Sequence, residues 1–149
     1  MAETYISIRA NGVNEVTLKL KGAKARMLDL TAPLTQGAAV MLRSTEVNFR
    51  QGGRPTPWRP LAFSTIRRKL AQGYSAIPLT RTGQLRRSIA TSVESRRFLV
   101  GTAVEYGRYH QFGTRRMPAR PFLVFQRQDL QRIERIITKF ITEGDIAGA

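Results

Sequence analysis

The chain has 149 residues, with 25 Lys and Arg against 10 Asp and Glu, one His and no Cys. This length predicts a single domain over residues 1–149, with a flexible end at residues 144–149. The lack of Cys excludes a disulfide framework, a thiolate zinc site and a cysteine nucleophile. The formal net charge of +15 favours a polyanion or an acidic protein surface as the partner.

Most of the positive charge lies in the middle of the chain. Residues 50–120 carry 15 Lys and Arg and only two acidic residues, Glu94 and Glu105, for a net charge of +13. No stretch approaches the roughly 18 apolar residues of a membrane-spanning helix, and the N-terminus lacks the pattern of a signal peptide. We therefore expect a soluble protein that does not contact a membrane.

The N-terminal part of the chain predicts a short strand and a helix. Residues 4–9 alternate between polar and apolar side chains, with Ile6 and Ile8 on one face, as in a half-buried strand. Residues 13–27 predict a helix, because apolar side chains recur at helical spacing at Val13, Val16, Leu20 and Ala23.

The next segment predicts the most regular helix of the first half. Thr31 can cap this helix through its hydroxyl, Pro33 suits the first turn, and Gly52 and Gly53 end the pattern. Its expected apolar face consists of Leu34, Ala38, Met41, Leu42, Thr45 and Phe49.

A loop and a short helix follow. Residues 51–60 contain two Gly, three Pro and two Arg, a composition that favours an exposed loop. We expect the side chain of Trp58 to anchor this loop to the rest of the domain. Ser64 or Thr65 can cap a short helix that ends at Gly73.

The spacing of the apolar residues then changes from helix to strand. Thr82 can cap a short helix that carries Leu85 and Ile89. Residues 90–103 alternate in two runs with two arginines between them, which predicts a β-hairpin.

The C-terminal part predicts two helices separated by an extended segment. Residues 104–112 predict a helix that ends at a left-handed Gly113. Residues 117–122 contain two prolines and are expected to be extended, as at a sheet edge or in an interface. Residues 124–143 predict an amphipathic helix with the apolar stripe Leu130, Ile133, Ile136, Ile137, Phe140 and Ile141.

The sequence gives little support to an enzyme. The acidic residues are scattered, and no Gly-rich phosphate loop is present, so no catalytic residue, metal or cofactor is predicted. A hydrolase using His110 stays open as a remote hypothesis, although no G-x-S-x-G motif accompanies it. Because His110 lies among Tyr106, Tyr109 and Phe112, we expect a neutral structural histidine bonded to a backbone carbonyl.

The arginines of the middle segment are the strongest candidates for contacts with a partner. Arginine binds phosphates and carboxylates in a bidentate manner and is enriched in interfaces, whereas lysine is depleted there and occurs in this segment only as Lys69. The alternative is that these arginines contact no partner and only form a solvated basic surface. The predicted contacts with a partner or DNA are Arg54, Arg59, Arg86, Arg87, Arg96, Arg97, Arg115, Arg116 and Arg120.

Several short motifs occur in a characteristic order over about residues 30–140. They include Trp58-x-Pro60-Leu61, Thr82-Gly83-x-Leu85, Tyr106-x-x-Tyr109-His110-Gln111-Phe112-Gly113 and Met117-Pro118-Ala119-Arg120-Pro121-Phe122. This order resembles the phage virion morphogenesis family, which comprises tail-completion and neck proteins of tailed bacteriophages. Many relatives carry a longer insertion where this chain has only residues 113–117. The motif residues expected to be structural are Trp58, Thr82, Gly83, Leu85, Tyr106, His110, Phe112, Gly113, Pro118, Pro121 and Phe122.

The resemblance implies a fold and a function. The fold would be α+β, with a small antiparallel sheet packed against several helices and a long C-terminal amphipathic helix. The protein would be a non-enzymatic virion component of the head-tail junction, assembled in the host cytoplasm as a homo-oligomer, a hexameric ring. Its neighbours would be a tail terminator or tail tube protein and a head-side connector or stopper protein, with possible contact to packaged DNA.

Two alternatives remain at this point. A nonspecific DNA-binding protein would use the basic middle segment to hold phosphates. The motif residues could equally serve only the fold of one subunit. Arg120, between two prolines, is expected to make a fixed salt bridge or carbonyl contact within or between subunits.

Overall fold

The structure, a computed structural model, describes residues 13–144. Within this part, six helices and one antiparallel pair of strands confirm the α+β class. The expected strand at residues 4–9 and most of the expected flexible end fall outside the described residues. In chain order the elements are α1 (Val13–Leu28), α2 (Thr31–Gln51), α3 (Phe63–Ala71), α4 (Gln84–Arg87), β1 (Ile89–Val93), β2 (Phe98–Thr102), α5 (Tyr106–Phe112) and α6 (Arg127–Glu143).

Helix α2 is the element around which the others pack. It contacts α6 and both strands, and α1 in turn lies on α6. Phe98 of β2 and Ile133 of α6 meet over Gly37, where a Cβ atom would lie 3.4 Å from both side chains. The predicted apolar face of α2 is confirmed, since Leu34, Ala38, Met41, Thr45 and Phe49 are buried and Leu42 is partly buried.

The β-hairpin forms as predicted. Ile89 pairs with Thr102 and Val93 with Phe98, so the strands are joined by residues 94–97. The backbone N–H of Glu94 donates to the carbonyl of Arg97 at 2.8 Å, and their side chains form an ion pair.

The aromatic core joins the loop at residues 51–60 to the C-terminal half. Phe49 meets Trp58 edge-on at 5.9 Å between ring centroids and lies 5.5 Å from Phe122. The indole Nε1 of Trp58 donates to the carbonyl of Pro121 at 2.8 Å. The prediction that Trp58 pins this loop is therefore confirmed.

The predicted caps of α2 and α3 are wrong. Thr31 is the first helical residue of α2, and its amide and hydroxyl both donate to Oδ1 of Asp29. In α3 the N-cap is Ala62, which has no side-chain oxygen to offer. The start of α2 also has a tertiary contact, since the amide of its N-cap residue Leu30 donates to the carbonyl of Ser95 in the hairpin loop.

The predicted cap of α4 is wrong in its position but not in its contact. Gly83 is the N-cap, with a φ of 72°, while the hydroxyl of Thr82 accepts a hydrogen bond of 3.4 Å from the amide of Gln84. Ile89 belongs to β1 instead of this helix. The helix is only one turn long because the chain must enter the hairpin at Ile89.

The two C-terminal helices are shorter than predicted. Helix α6 begins at Arg127, where the carboxylate of Asp129 accepts from the amide of Gln126 at 3.2 Å. Its apolar stripe is confirmed except for Leu130, which lies at the edge of the stripe and is 51% exposed. Helix α5 ends at Gly113 as predicted, but Gly113 has a φ of 76° and a ψ of 179°, so it is not left-handed helical.

Residues 117–122 do not lie at a sheet edge within the described part of the chain. A single isolated bridge between Thr114 and Met117 closes the turn before them. The segment instead packs across α5 and buries Phe122, because its aromatic side chain completes the core. No helix in residues 13–144 combines the length and apolarity needed to cross a membrane.

Candidate functional site

The extended segment is held against α5 by one amide side chain. Gln111 accepts hydrogen bonds from the amides of Phe122 and Leu123 at 3.0 and 3.1 Å, and donates to the carbonyl of Leu123 at 2.9 Å. Gln111 is not among the residues predicted from the sequence. Its position inside the Tyr-His-Gln-Phe-Gly motif is the signal that points to it.

Arg120 joins three segments of the chain from a buried position. It is 6% exposed, its Nε donates to the carbonyl of Arg59 at 3.0 Å, and a terminal nitrogen lies 3.4 Å from the carbonyl of Pro60. Its backbone amide donates to the carbonyl of His110 at 2.7 Å. Burial, and then the charge of Arg59, lower the pKa of Arg120. The expected carbonyl contact is made inside the chain, so the guanidinium is not on the surface for a partner or DNA.

Arg54 is likewise used inside the chain. Its guanidinium donates to Oδ1 of Asn48 and to the carbonyl and hydroxyl of Ser44, each at 2.8 Å. Asn48 is fully buried and donates to the carbonyl of Phe122 at 2.9 Å. Asn48 and Ser44 lie on the apolar face of α2, where periodicity alone does not reveal a polar network.

The remaining predicted arginines lie on the surface. Arg86 is paired with Glu46, and Arg97 with Glu94. The other side chains are exposed and form no ion pair or hydrogen bond through the guanidinium within residues 13–144; they are Arg59, Arg87, Arg96, Arg115 and Arg116. These five arginines, here called the free arginines, are the part of the predicted set that has charge to offer a partner.

His110 differs from its predicted environment. Its Nδ1 is buried without a hydrogen-bond partner in the described structure, although a bond to a backbone carbonyl was expected. Tyr106 contacts the imidazole edge-on at 5.9 Å between ring centroids. Burial, and then the charge of Arg120, lower the pKa of His110.

Several motif residues surround one cavity. The cavity has a volume of about 400 Å³ and lies between α3, the connection to α4, and α5. No Asp or Glu lines it among the described residues, so a Ser-His-Asp arrangement does not form around His110 there. The motif residues in its wall are Thr82, Gly83, Leu85, Tyr106 and His110.

The other motif residues do not line this cavity. Trp58 and Phe122 belong to the core, Phe112 is 80% exposed, and Gly113 forms the turn after α5. Pro118 is partly buried and Pro121 is exposed, with its carbonyl bonded to the Trp58 indole. Within residues 13–144, no cluster of three His, Asp or Glu side chains is suited to a metal ion.

Helix α1 presents an apolar surface that the described chain does not cover. Val16, Leu20 and Met27 lie at helical spacing and are 56%, 65% and 54% exposed. The helix instead contacts α6 through Arg26, whose guanidinium donates to the carbonyl of Ile141 at 2.8 and 2.6 Å. We call Val16, Leu20 and Met27 the α1 stripe. The spacing predicted this helix correctly, but the stripe faces outward.

Comparisons with known proteins agree with the family that the sequence motifs resemble. The chain is 34% identical over 132 residues to Mu-like prophage FluMu G protein 2 of Haemophilus influenzae, covering 83% of this chain and 87% of that protein. It is 32% identical over 110 residues to Mu-like prophage FluMu G protein 1 of the same organism, covering 71% of this chain and 75% of that protein. No solved structure matches the chain significantly. The model of the phage virion morphogenesis family matches residues 12–142, and the chain therefore belongs to that family.

Proposed function

We propose that the protein completes the phage tail or neck at the head-tail junction and bridges the end of the tail tube to the head-side connector. Membership of the virion morphogenesis family supports a structural role in the virion. The finer assignment depends on one observation, the exposed α1 stripe on a protein with a net charge of +15.

The α1 stripe favours assembly with further copies of the chain. Burying an exposed aliphatic side chain contributes about 1.5–3 kcal/mol, so three neighbouring side chains supply a substantial part of a contact. An apolar stripe that meets a different surface of the next copy generates a ring when the rotation between copies closes, and an open filament when it does not. We propose a homo-oligomeric ring with six copies, matching the sixfold symmetry expected of a phage tail.

The free arginines are available to bind the proteins above and below this ring. Guanidinium groups bind carboxylates in fixed geometry, and unpaired exposed arginines are available for such contacts. We propose that they face acidic surfaces of a tail terminator or tail tube protein and of a head-side connector or stopper protein. The same positive surface would tolerate packaged DNA nearby.

Deleting the gene tests this function. Particles made without the protein should consist of DNA-filled heads and separate tails, and supplying the wild-type chain from a plasmid should restore joined particles in electron micrographs. In restored particles the protein should appear at the junction with sixfold symmetry. A normal yield of infectious particles from the deletion would refute the proposal.

A nonspecific DNA-binding function is the second candidate, supported by the free arginines in a segment of net charge +13. It predicts that duplex affinity falls with salt, with a log-log slope of about −0.9 per phosphate contact. The double variant Arg115→Gln/Arg116→Gln should make this slope less negative by about 2. Lys24→Gln, outside the segment, is the matched control. A purified protein that does not retain DNA at low salt would exclude this function.

A further inference from the structure

We propose that the cavity between α3 and α5 binds a carboxylate on a short, partly apolar segment of a neighbouring virion protein. The identity of the neighbour rests on the proposed function, whereas carboxylate binding rests on the cavity itself.

Lys69 is the main reason for this inference. It is 8% exposed, and its ammonium donates one hydrogen bond, to the carbonyl of Ile77 at 2.7 Å. An ammonium has three donors, so this bond leaves two of them for a ligand. No carboxylate lies within ion-pair distance of Lys69 in the described part of the chain. A buried cation without a counter-charge is costly, and an anion bound there would offset that cost.

Two arginines share the cavity walls with Lys69. Arg81 lies over the ring of Tyr74 at 5.1 Å, and it lines both this cavity and an adjoining cavity of about 360 Å³ that Arg68 also lines. The wall of the first cavity also contains His110, whose Nδ1 is buried without a hydrogen-bond partner in the described structure; because burial and Arg120 lower its pKa, the imidazole adds no positive charge at neutral pH. Among residues 13–144, neither cavity is lined by an acidic side chain. The positive charges therefore converge without internal neutralisation.

The rest of the wall favours a peptide over a DNA backbone. Leu61, Leu79 and Leu85 contribute apolar surface. Leu79 has a φ of 63°, a conformation that costs a leucine of order 1–3 kcal/mol and that occurs mainly where surrounding structure imposes it. A DNA backbone offers only the C–H groups of its sugars and no aliphatic side chain to such a wall, whereas an acidic residue beside an aliphatic one matches both parts. The free arginines lie outside this cavity and are the more suitable contacts for DNA.

The test uses the only histidine of the chain as a reporter. Purified full-length protein at neutral pH is titrated with the C-terminal amide of N-acetyl-leucyl-glutamate, whose only carboxylate is the side chain, and the imidazole proton signals of His110 are followed by NMR. We expect a saturable shift that the C-terminal amide of N-acetyl-leucyl-glutamine, which has no carboxylate, does not produce. Lys69→Met should weaken binding about tenfold or more, because a charge-assisted hydrogen bond is lost. Arg67→Met, on the exposed face of the same helix, should bind as the wild type does.

A second variant controls for a folding defect in Lys69→Met, because that substitution also removes the hydrogen bond to the carbonyl of Ile77. Arg81→Gln alters an exposed side chain and should weaken dipeptide binding severalfold while leaving the unfolding free energy unchanged. Equal affinity of both variants and wild type, or no saturable shift, would overturn the proposal. If a short DNA duplex shifts His110 with the same dependence on Lys69 and the dipeptide does not, DNA is the ligand and the peptide proposal is wrong.

Complementation separates this site from the proposed function. Arg81→Gln supplied to the deletion strain should reduce joined particles more than Arg67→Met. Normal joining with Arg81→Gln would overturn the role of the cavity in assembly while leaving the junction function intact. Infectious particles from the deletion itself would instead refute the junction function.

Discussion

The arginines of this chain have two different uses. Arg54 and Arg120 donate to backbone carbonyls and buried polar groups, whereas the free arginines face the solvent. A guanidinium stays protonated and offers five donors in a planar array, so one buried arginine can hold several carbonyls of different segments. At the scale of single residues, the net charge therefore overstates the number of arginines that a partner can reach.

Arg120→Met should lower the free energy of unfolding by about 1–3 kcal/mol, because the carbonyls of Arg59 and Pro60 lose their donor. Urea denaturation followed by the fluorescence of Trp58, the only tryptophan and 6% exposed, measures this change. Arg116→Met is the control and should stay within about 0.5 kcal/mol of wild type. Equal effects of the two substitutions would contradict the internal role of Arg120.

His110 should make the stability depend on pH. Burial and Arg120 hold its pKa below the ordinary value of 6.5, which the unfolded chain regains. As the pH falls below about 6.5, the unfolded chain therefore binds a proton that the folded chain does not, and the unfolding free energy decreases.

The comparison of wild type with His110→Gln isolates this effect. Urea denaturation at about pH 7.5 and pH 5.5 should show a larger loss of stability for the wild type, since Asp and Glu titrate below this range. An identical loss in both proteins would mean that His110 has its ordinary pKa.

The turn between α5 and the extended segment depends on tight backbone packing. Gly113 has a φ of 76° and a ψ of 179°, a region open essentially to glycine. A Cβ atom there would lie 2.7 Å from the backbone nitrogen of Ala119 and 3.0 Å from the carbonyl oxygen of Met117. At the scale of elements, this turn directs residues 117–122 back across α5, where Gln111 holds them.

Gly113→Ala should lower the free energy of unfolding by about 3 kcal/mol or more, because backbone strain and a backbone clash combine. Gly73→Ala is a matched control, since Gly73 has a φ of 74° but nothing lies within 4 Å of the position that a Cβ atom would occupy there. Gly73→Ala should lower the free energy of unfolding by only about 1 kcal/mol, the cost of a positive φ for a residue other than glycine. Denaturation curves measure both losses, and similar values would show that the contact with Ala119 is not tight.

At the scale of the whole molecule, the proposed function uses two of the surfaces that the described chain leaves without internal partners. The α1 stripe is apolar, and the free arginines are positively charged. Neither surface is needed to fold the chain, since the core forms around α2 and the aromatic cluster. Substitutions on these surfaces should therefore affect assembly without affecting stability.

Leu20→Asp should abolish or strongly reduce the recovery of joined particles by the plasmid-borne chain, because a carboxylate in the α1 stripe opposes its burial against another copy. Its unfolding free energy should stay within about 0.5 kcal/mol of wild type, since Leu20 is 65% exposed. Ala25→Asp places the same charge on the opposite side of α1 and should support assembly. Full recovery with Leu20→Asp would exclude the stripe as an interface.

The sequence by itself determined the α+β class, most of the element positions and the family. Helix and strand periodicities are local properties, so the apolar face of α2, the hairpin and most of the α6 stripe followed from spacing alone. The role of Trp58 was predictable because a large aromatic side chain in a loop rich in Pro and Gly must find an apolar partner. The motif order pointed to the family that the comparisons then showed.

Only the tertiary structure decided which polar groups are internal. Arg120 contacts residues about sixty positions away in the chain, and Asn48 bonds to Phe122, so neither role appears in any local pattern. The start of α2 combines a local and a distant contact, since Asp29 accepts from Thr31 and the amide of Leu30 donates to the carbonyl of Ser95. The cavity at Lys69 and His110 also arises from three segments separated in sequence. Spacing along the chain reports which face a side chain occupies, but the pairing of a buried charge depends on the segments that folding brings against it.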